Sequence, residues 1–276
     1  MLVQLPETKT LLTRFERGAL HVTFNRPESR NSMSSEMLAD IEAVFESIAS
    51  NRSVRIVVLR GAGGHFCSGA DLKSMLASGA KPPAAGEADP IAVVNRRFGT
   101  MLRRVQNAPQ VVIAICEGAV LGGGFGLACV SDIAFAHVDA KFGLPETTRG
   151  LPPAQIAPFV VERLGLTQAR RLALTGAQFR GAEALQLGLV HEGFASEDEL
   201  ETKLGQVMQK VLNCAPNANA VTKAILLQAG KVDLDLVLDD AATQFAACAR
   251  GVEAPEGITA FMQKRAPKWA QPEEES

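Results

Sequence analysis

Three short segments combine residue types that can do chemistry. The densest is Gly122-Gly123-Gly124-Phe125-Gly126, which follows a β-prone run at 111–115 and precedes the apolar run 127–130. Glycines there let a ligand approach the backbone, and a helix opening at this point aims free N–H groups and its positive dipole end at an anion or polarised oxygen. A tight core turn is the alternative. Neither register of G-x-G-x-x-G ends in Gly or Ala, and no Gly-Lys-Ser/Thr is present, so a dinucleotide fingerprint and a P-loop both fail. The second segment, Gly61-Ala62-Gly63-Gly64-His65-Phe66-Cys67-Ser68-Gly69-Ala70-Asp71-Leu72-Lys73, again reads as a strand, a Gly-rich turn and a predicted helix. Two such turns in one core place two backbone donors around one oxygen, the geometry of an oxyanion hole. Ser68 is not in a G-x-S-x-G motif and Cys67 has no motif-linked His, so neither is read as a nucleophile. In the third segment, Phe142-Gly143-Leu144-Pro145-Glu146-Thr147-Thr148-Arg149, Glu146 is a charge in an apolar, turn-rich stretch. Burial would raise its pKa and suit it to proton transfer. An exposed loop carboxylate is the simpler reading of the sequence alone.

The elements that must position these residues are legible as alternating periods. Residues 10–15 and 19–24 flank Gly18 as a hairpin, and Ser34 caps a run with apolar residues at Met37, Ile41, Val44 and Ile48, one face of a helix. Buried strands are predicted at 55–59, 111–115 and 132–136. Ile91, Val94, Phe98, Met101 and Val105 mark a second helix. This alternation is that of crossover units, an α/β class. Between 78 and 90 the composition shifts to Ala, Gly and Pro and predicts a mobile surface loop. Helical patterns dominate from 153 to 261. The expected organisation is an αβ core over 1–200 and a helical region over 201–276, with Glu273-Glu274-Glu275 as a solvated end.

The 276 residues suffice for one large core; 47% are hydrophobic and 21% charged, which excludes disorder. A net charge of -2 leaves no overall footprint for nucleic acid or an anionic membrane. The N-terminal ten residues carry Pro6, Glu7 and Lys9 where an export signal would be apolar, and no apolar run is long enough to span a membrane, so a cytoplasmic chain is expected. Five cysteines without a C-x-x-C pair, and four histidines without H-x-x-x-H spacing, argue against a disulfide framework and a metal site.

Taken in order, Phe24-Asn25-Arg26-Pro27 with Arg30-Asn31, Phe66-Cys67-Ser68-Gly69-Ala70-Asp71-Leu72, Gly118 with Gly122-Gly123-Gly124, and Gly143-Leu144-Pro145-Glu146 resemble the enoyl-CoA hydratase/isomerase (crotonase) family. The resemblance extends to Glu256-Gly257-Ile258-Thr259-Ala260-Phe261 and Lys264-Arg265, and so spans nearly the whole chain. It implies a β-β-α superhelix followed by a helical trimerisation region, in a homo-oligomer that is a trimer or a dimer of trimers. It implies an acyl-CoA substrate, with coenzyme A as part of that substrate and no separate cofactor. By the same resemblance the N–H groups of Ala70 and Gly123 hold the thioester oxygen and Glu146 is the catalytic acid/base. Ser68, Asp71, Leu72 and Lys73 line the CoA channel, Arg30 stands near its mouth, and Phe261 and Lys264 reach the adenine end.

Two positions depart from the family pattern. Typical hydratases carry a second glutamate two residues after the Gly triplet, where this chain has Gly126, and Glu117 stands where many relatives have Asn or Asp. One carboxylate can in principle deprotonate a water and return the proton to Cα. The stretch 151–161, with Gly165 and Ala169-Arg170-Arg171, resembles bacterial hydratases of 3-substituted glutaconyl-CoA thioesters. The expected substrates are isohexenylglutaconyl-CoA first and 3-methylglutaconyl-CoA second. Isomerisation or thioester hydrolysis, and a non-catalytic acyl-CoA- or RNA-binding scaffold, are the alternatives. A glutaconyl thioester carries a distal carboxylate, for which Arg149 is the nearest basic residue to Glu146 in sequence; solvent exposure or a subunit contact is the competing reading of Arg149.

Overall fold

A two-residue hairpin needs left-handed backbone at its turn, and Arg17 and Gly18 supply it with φ of 46° and 78°. They join β1 (Leu11–Glu16) to β2 (Ala19–Phe24), as the alternating pattern predicts. The computed structural model describes residues 3–71, 83 and 86–270. From β2 the sheet continues in parallel through β3 (Ile56–Gly61), β4 (Val111–Cys116), β6 (Ile133–His137) and β9 (Glu192–Phe194), in the order β1-β2-β3-β4-β6-β9. A second, three-stranded sheet has the order β5-β7-β8, with β5 at Ala119–Leu121, β7 at Lys141–Gly143 and β8 at Gln178–Arg180.

Two turns of the chain pass from the large sheet to the small one and then into a helix. β4 leads to β5 and α3 (Gly123–Val130), while β6 leads to β7 and then to α4 (Ala157–Thr175). The resulting β-β-α superhelix is the fold expected above. The corner between β4 and β5 is Gly118 at φ +50°; a Cβ there would lie 2.2 Å from the Gly64 carbonyl oxygen and 2.3 Å from His65 Nδ1, so only glycine lets the sheets meet.

Parallel strands need cover on both faces. One face of the large sheet lies under α1 (Ser35–Ser47), capped as expected by Ser34 and burying Met37, Ile41 and Val44, and α2 (Pro90–Gln106), burying Met101, Leu102 and Val105. On the other face, beyond the short α5 (Gly181–Gln186), α6 (Glu197–Asn213) sets Leu200 and Val211 against Ile56, Val58, Ile113, Ile115 and Phe135. The small sheet is fixed to α3 by three aromatic rings: Phe142 and Phe179 stack at 5.8 Å and Phe125 meets both edge-on at 6.3 and 6.1 Å.

The Gly-rich turn after β3 leads first into extended chain, in which Cys67 bridges Val120 and Ala70 bridges Met33 in parallel; the helix expected beyond it falls on residues 72–82, outside the described residues. The helix-dominated region from 153 to 261 also holds β8 and β9, three-residue strands too short to show a period of two. The loop predicted for 78–90 falls mostly outside the described residues, as does the acidic end at 273–275.

The last helices, α7 (Pro216–Gln228), α8 (Leu234–Arg250) and α9 (Glu253–Met262), follow α6. Lys223 of α7 docks on the large sheet, its Nζ 2.7 Å from Asp132 Oδ2 and 3.1 Å from the Gln110 carbonyl oxygen, while the same Asp132 oxygen accepts from Val112 N–H at 2.7 Å. Burial pushes the Asp132 carboxyl up and the Lys223 ammonium down, each opposed by the other's charge. Removing one member strands the other in a poorly solvated place. Lys223→Met is therefore expected to lower unfolding stability by about 1–3 kcal/mol, less than for a fully buried pair because both side chains keep some solvent contact. Urea unfolding with a midpoint equal to wild type would refute this anchoring role.

Candidate active site

Asn31 is fully buried and organises the first Gly-rich turn. Its Oδ1 accepts from Arg26 N–H at 2.8 Å, and its Nδ2 donates to the carbonyls of Ala62 (2.9 Å) and His65 (2.6 Å). From that anchor the chain runs extended along β5: Phe66 N–H donates to Glu117 O (2.8 Å), Cys67 N–H to Ala119 O (2.9 Å), and Leu121 N–H to Cys67 O (3.0 Å). It then pairs with Met33, whose N–H donates to Gly69 O (2.8 Å) and whose carbonyl accepts from Asp71 N–H (3.1 Å).

These bonds set the direction of two others. In a trans peptide the N–H of one residue points opposite to the carbonyl of the residue before it. The Gly69 carbonyl faces Met33, so the Ala70 N–H faces away. The Gly122 carbonyl accepts from Gly126 N–H at 2.9 Å inside the first turn of α3, so the Gly123 N–H points out from the helix N-terminus. Among the described residues neither N–H donates a backbone hydrogen bond. The turns abut: a Cβ on Gly69 would lie 3.1 Å from Leu121 O, and one on Gly122 would lie 3.7 Å from Gly69 Cα. Two free donors on touching turns, one at a positive helix end, can receive a single oxygen that gains negative charge.

Glu146 follows β7, whose last residue accepts from the Gly122 N–H at 3.0 Å. This bond brings the carboxylate to the donors. Gly122 has φ +49°, and a Cβ on it would fall 2.5 Å from Glu146 Oε1. Glu146 Oε2 is buried, without a hydrogen-bond partner among the described residues. Burial raises the carboxyl pKa above the ordinary value, opposed in part by its own backbone N–H and by the charge of Arg149. The loop-carboxylate reading is thereby replaced by a half-buried group with one unused acceptor, the state a proton-transfer group needs.

The other walls are apolar. A Cβ on Gly123 would touch Phe98 Cζ at 3.1 Å and Met33 Sδ at 3.3 Å, and one on Gly126 would meet Ile156 Cγ2 at 3.2 Å and Leu102 Cδ1 at 3.3 Å. Any side chain at 126 would therefore press on those two residues with its first carbon. Phe98 was legible only as part of a helix face, and nothing in the periodicity of α2 marks it as a site wall. Met33, Leu102 and Ile156 carried no signal of their own.

The remaining residues distribute as follows. Ser68 donates its hydroxyl to Ser29 O (3.0 Å) and its N–H to Arg30 O (3.0 Å), so it ties the turn to the 26–31 loop. Asp71 pairs with Arg26 at 3.2 Å. Arg30 is exposed with φ 53°. Arg149 is exposed at the end of the 3-10 turn after Glu146. Phe261, 84% exposed, ends α9 with Lys264 just beyond it; no hydrogen bond or ion pair among the described residues joins either to the Gly-rich turns. Leu72 and Lys73 lie outside the described residues. Two cavities of about 410 and 470 Å³, one between the large sheet and α6 and one among α7, α8 and α9, are lined by none of Ala70, Gly123 and Glu146. Converging donors and a buried carboxylate outweigh cavity size as a mark of chemistry. No described helix is long and apolar enough to cross a membrane.

Known proteins share this fold across nearly the whole chain. An enoyl-CoA hydratase/isomerase from Marinobacter aquaeolei superposes with a TM-score of 0.92 at 53% identity, covering 95% of this chain and 99% of that one. Pseudomonas aeruginosa AtuE superposes with a TM-score of 0.91 at 55% identity, covering 95% and 100%. The 2,3-dehydroadipyl-CoA hydratase of Escherichia coli is 31% identical over 258 residues, 93% of this chain and 97% of that protein. Residues 14–272 match the enoyl-CoA hydratase/isomerase family model, which includes both Gly-rich turns and Glu146, and the chain belongs to that family.

Proposed function

We propose that the protein is a hydratase that adds water across the α,β double bond of a 3-substituted glutaconyl-CoA thioester, with isohexenylglutaconyl-CoA the first candidate and 3-methylglutaconyl-CoA the second. The observation that carries this reading is the half-buried Glu146 carboxylate beside the Gly122-Gly123 turn, whose buried Oε2 has no hydrogen-bond partner among the described residues. The Ala70 and Gly123 N–H groups hold the thioester oxygen. Glu146 takes a proton from water as the water oxygen bonds to Cβ, and the double-bond electrons move toward the thioester oxygen as an enolate. Glu146 then delivers the proton to Cα, so the water is added whole and the carboxylate is restored. The substrate class is supported by the likeness of the 151–161 stretch to such hydratases. It is also supported by the Escherichia coli relative, named for the thioester of another dicarboxylic acid. The apolar walls Met33, Phe98, Leu102 and Ile156 suit a branched hydrocarbon substituent.

The enzyme works as a homo-oligomer, a trimer or a dimer of trimers. Exposed Leu226, Leu234, Leu236, Phe245, Val252 and Phe261 on and around α7, α8 and α9 support that assembly, since apolar surface of this extent marks an interface. In the assembly Phe261 and Lys264 reach the adenine end of CoA bound with the channel residues Arg30, Ser68, Asp71, Leu72 and Lys73.

The donors are tested by Gly123→Pro, which deletes one N–H. Loss of one such donor costs about 2.7–4 kcal/mol of transition-state stabilisation, so turnover of crotonyl-CoA should drop by roughly 10²–10³-fold. A folded variant at the wild-type rate would reject the assignment.

Glu146→Gln is expected to lose roughly 10²–10⁴-fold in kcat while still binding CoA thioesters. The pH profile supplies an independent check. A base acts only when ionised, and the raised pKa of Glu146 keeps it protonated to higher pH than an ordinary glutamate. The acid limb of kcat/KM therefore rises with pH through a midpoint above about 4.3, the unperturbed glutamate value. A limb at or below that value, or near-normal hydration by the glutamine variant, would sink the mechanism.

Arg149 is the proposed holder of the distal carboxylate, through two parallel hydrogen bonds from its guanidinium. Arg149→Met should raise KM or lower kcat for 3-methylglutaconyl-CoA and leave crotonyl-CoA kinetics nearly unchanged. Equal effects on both substrates would exclude the clamp.

A further inference from the structure

Cys67 lies between the two donor turns, fully buried, with a side chain that no step above uses. Burial pushes its thiol up to about 12, so at neutral pH the sulfur is uncharged and is no nucleophile. Its backbone is committed to β5 through Cys67 N–H to Ala119 O and Leu121 N–H to Cys67 O. Its sulfur accepts from the Gly69 N–H, with N to Sγ 3.4 Å. Gly124 packs on the same residue, since a Cβ on it would lie 2.5 Å from Cys67 O and 2.9 Å from Cys67 Cβ. Gly69 is the residue before Ala70, and Gly124 is the residue after Gly123. Cys67 thus touches both turns, one residue away from each donor.

We propose that Cys67 is a positioning residue whose sulfur sets the spacing of the Ala70 and Gly123 N–H groups and thereby the fit of the thioester oxygen between them. The inference rests on the oxyanion-hole reading above. Gly69 is buried, and without the sulfur its N–H would be an orphan donor, which rotates or shifts to find a partner. Because that amide adjoins the peptide plane carrying the Ala70 N–H, while Gly124 is packed on Cys67 itself, a shift of the Gly69 turn changes the separation of the two donors. Sulfur suits the task because it is large and a weak acceptor, so it holds the Gly69 turn out without drawing it inward. A serine oxygen, on a shorter bond to Cβ, draws that turn closer.

The test uses butyryl-CoA isotopically labelled at its thioester carbonyl, which is inert to hydration. Difference infrared spectroscopy of the full-length protein reads the lowering of the C=O stretch on binding, a direct measure of polarisation by the two N–H groups. Wild type should show a lowered frequency and Gly123→Pro should lose most of it. Cys67→Ala, and Cys67→Val as a variant closer in volume, should show a smaller lowering and about a tenfold fall in kcat for crotonyl-CoA with KM changed little, a loss comparable to one hydrogen bond. Cys67→Ser should recover part of both. Cys67→Ala or Cys67→Val with the wild-type frequency and kcat would overturn the proposal, even if its melting temperature fell, and so would a serine variant no better than alanine. A wild-type protein with no lowered frequency would instead overturn the oxyanion hole itself, which separates the two failures.

Discussion

The pairing of residues 66–67 with β5 is the contact on which the rest of the site depends. It is short, three backbone hydrogen bonds between Phe66, Cys67, Glu117, Ala119 and Leu121. It nevertheless joins the chain leaving one strand of the large sheet to the chain leaving the next. Without it the two Gly-rich turns would belong to separate crossovers and their N–H groups would have no common target. With it, Gly69 and Gly122 come into contact, and the planarity of the trans peptide carries the direction of each anchored carbonyl to the N–H behind it. Asn31 extends the same control by closing the 61–65 turn with both ends of its amide. The donors are therefore oriented before any substrate arrives, and no reorganisation of the backbone is required when charge develops.

Low polarity at this site has two consequences. Met33 and Phe98 flank Gly123, and Leu102 and Ile156 flank Gly126, an apolar surround that strengthens the field of the Gly123 N–H dipole and the end of α3. Burial also removes solvation from Glu146 and raises its pKa. A buried carboxylate oxygen without a partner is unfavourable to folding. It persists because its neighbours are held independently, with Phe125, Phe142 and Phe179 locking α3 to the small sheet and Gly143 tied to Gly122. The strain of the site is offset by packing that lies just behind it.

Periodicity sufficed for the hairpin, for α1 with its Ser34 cap, and for the parallel strands β3, β4 and β6, because those elements are long and buried on definite faces. It failed for the small sheet and for β9, whose three-residue strands offer a single inward side chain each. It also carried no sign of the extended pairing of residues 67 and 70, which depends on partners thirty to fifty residues away. The glycines and Glu146 were visible as types, but the burial of Glu146 was not, because it depends on the Gly122-to-Gly143 bond between distant strands. Of the side chains that wall the site only Phe98 stood in a periodic run, and it is the juxtaposition of Met33, Phe98, Leu102 and Ile156 with Gly123 and Gly126 that marks them as walls.

Gly126 narrows the chemistry more than any residue that is present. A Cβ at position 126 would already press on Leu102 and Ile156, so in the proposed mechanism Glu146 is the group that moves each proton. Hydration and double-bond isomerisation then share one base and one pair of donors, and differ in what the base meets first. If a water reaches Glu146 Oε2, the proton comes from the water and the hydroxyl stays on the substrate. If the acyl chain covers that oxygen, the proton comes from carbon and returns to carbon. The choice between the two reactions of this family is thus set by how the acyl chain fills the space beside an apolar wall. Residues such as Phe98 and Leu102, which have no acid or base of their own, decide which atom the carboxylate touches.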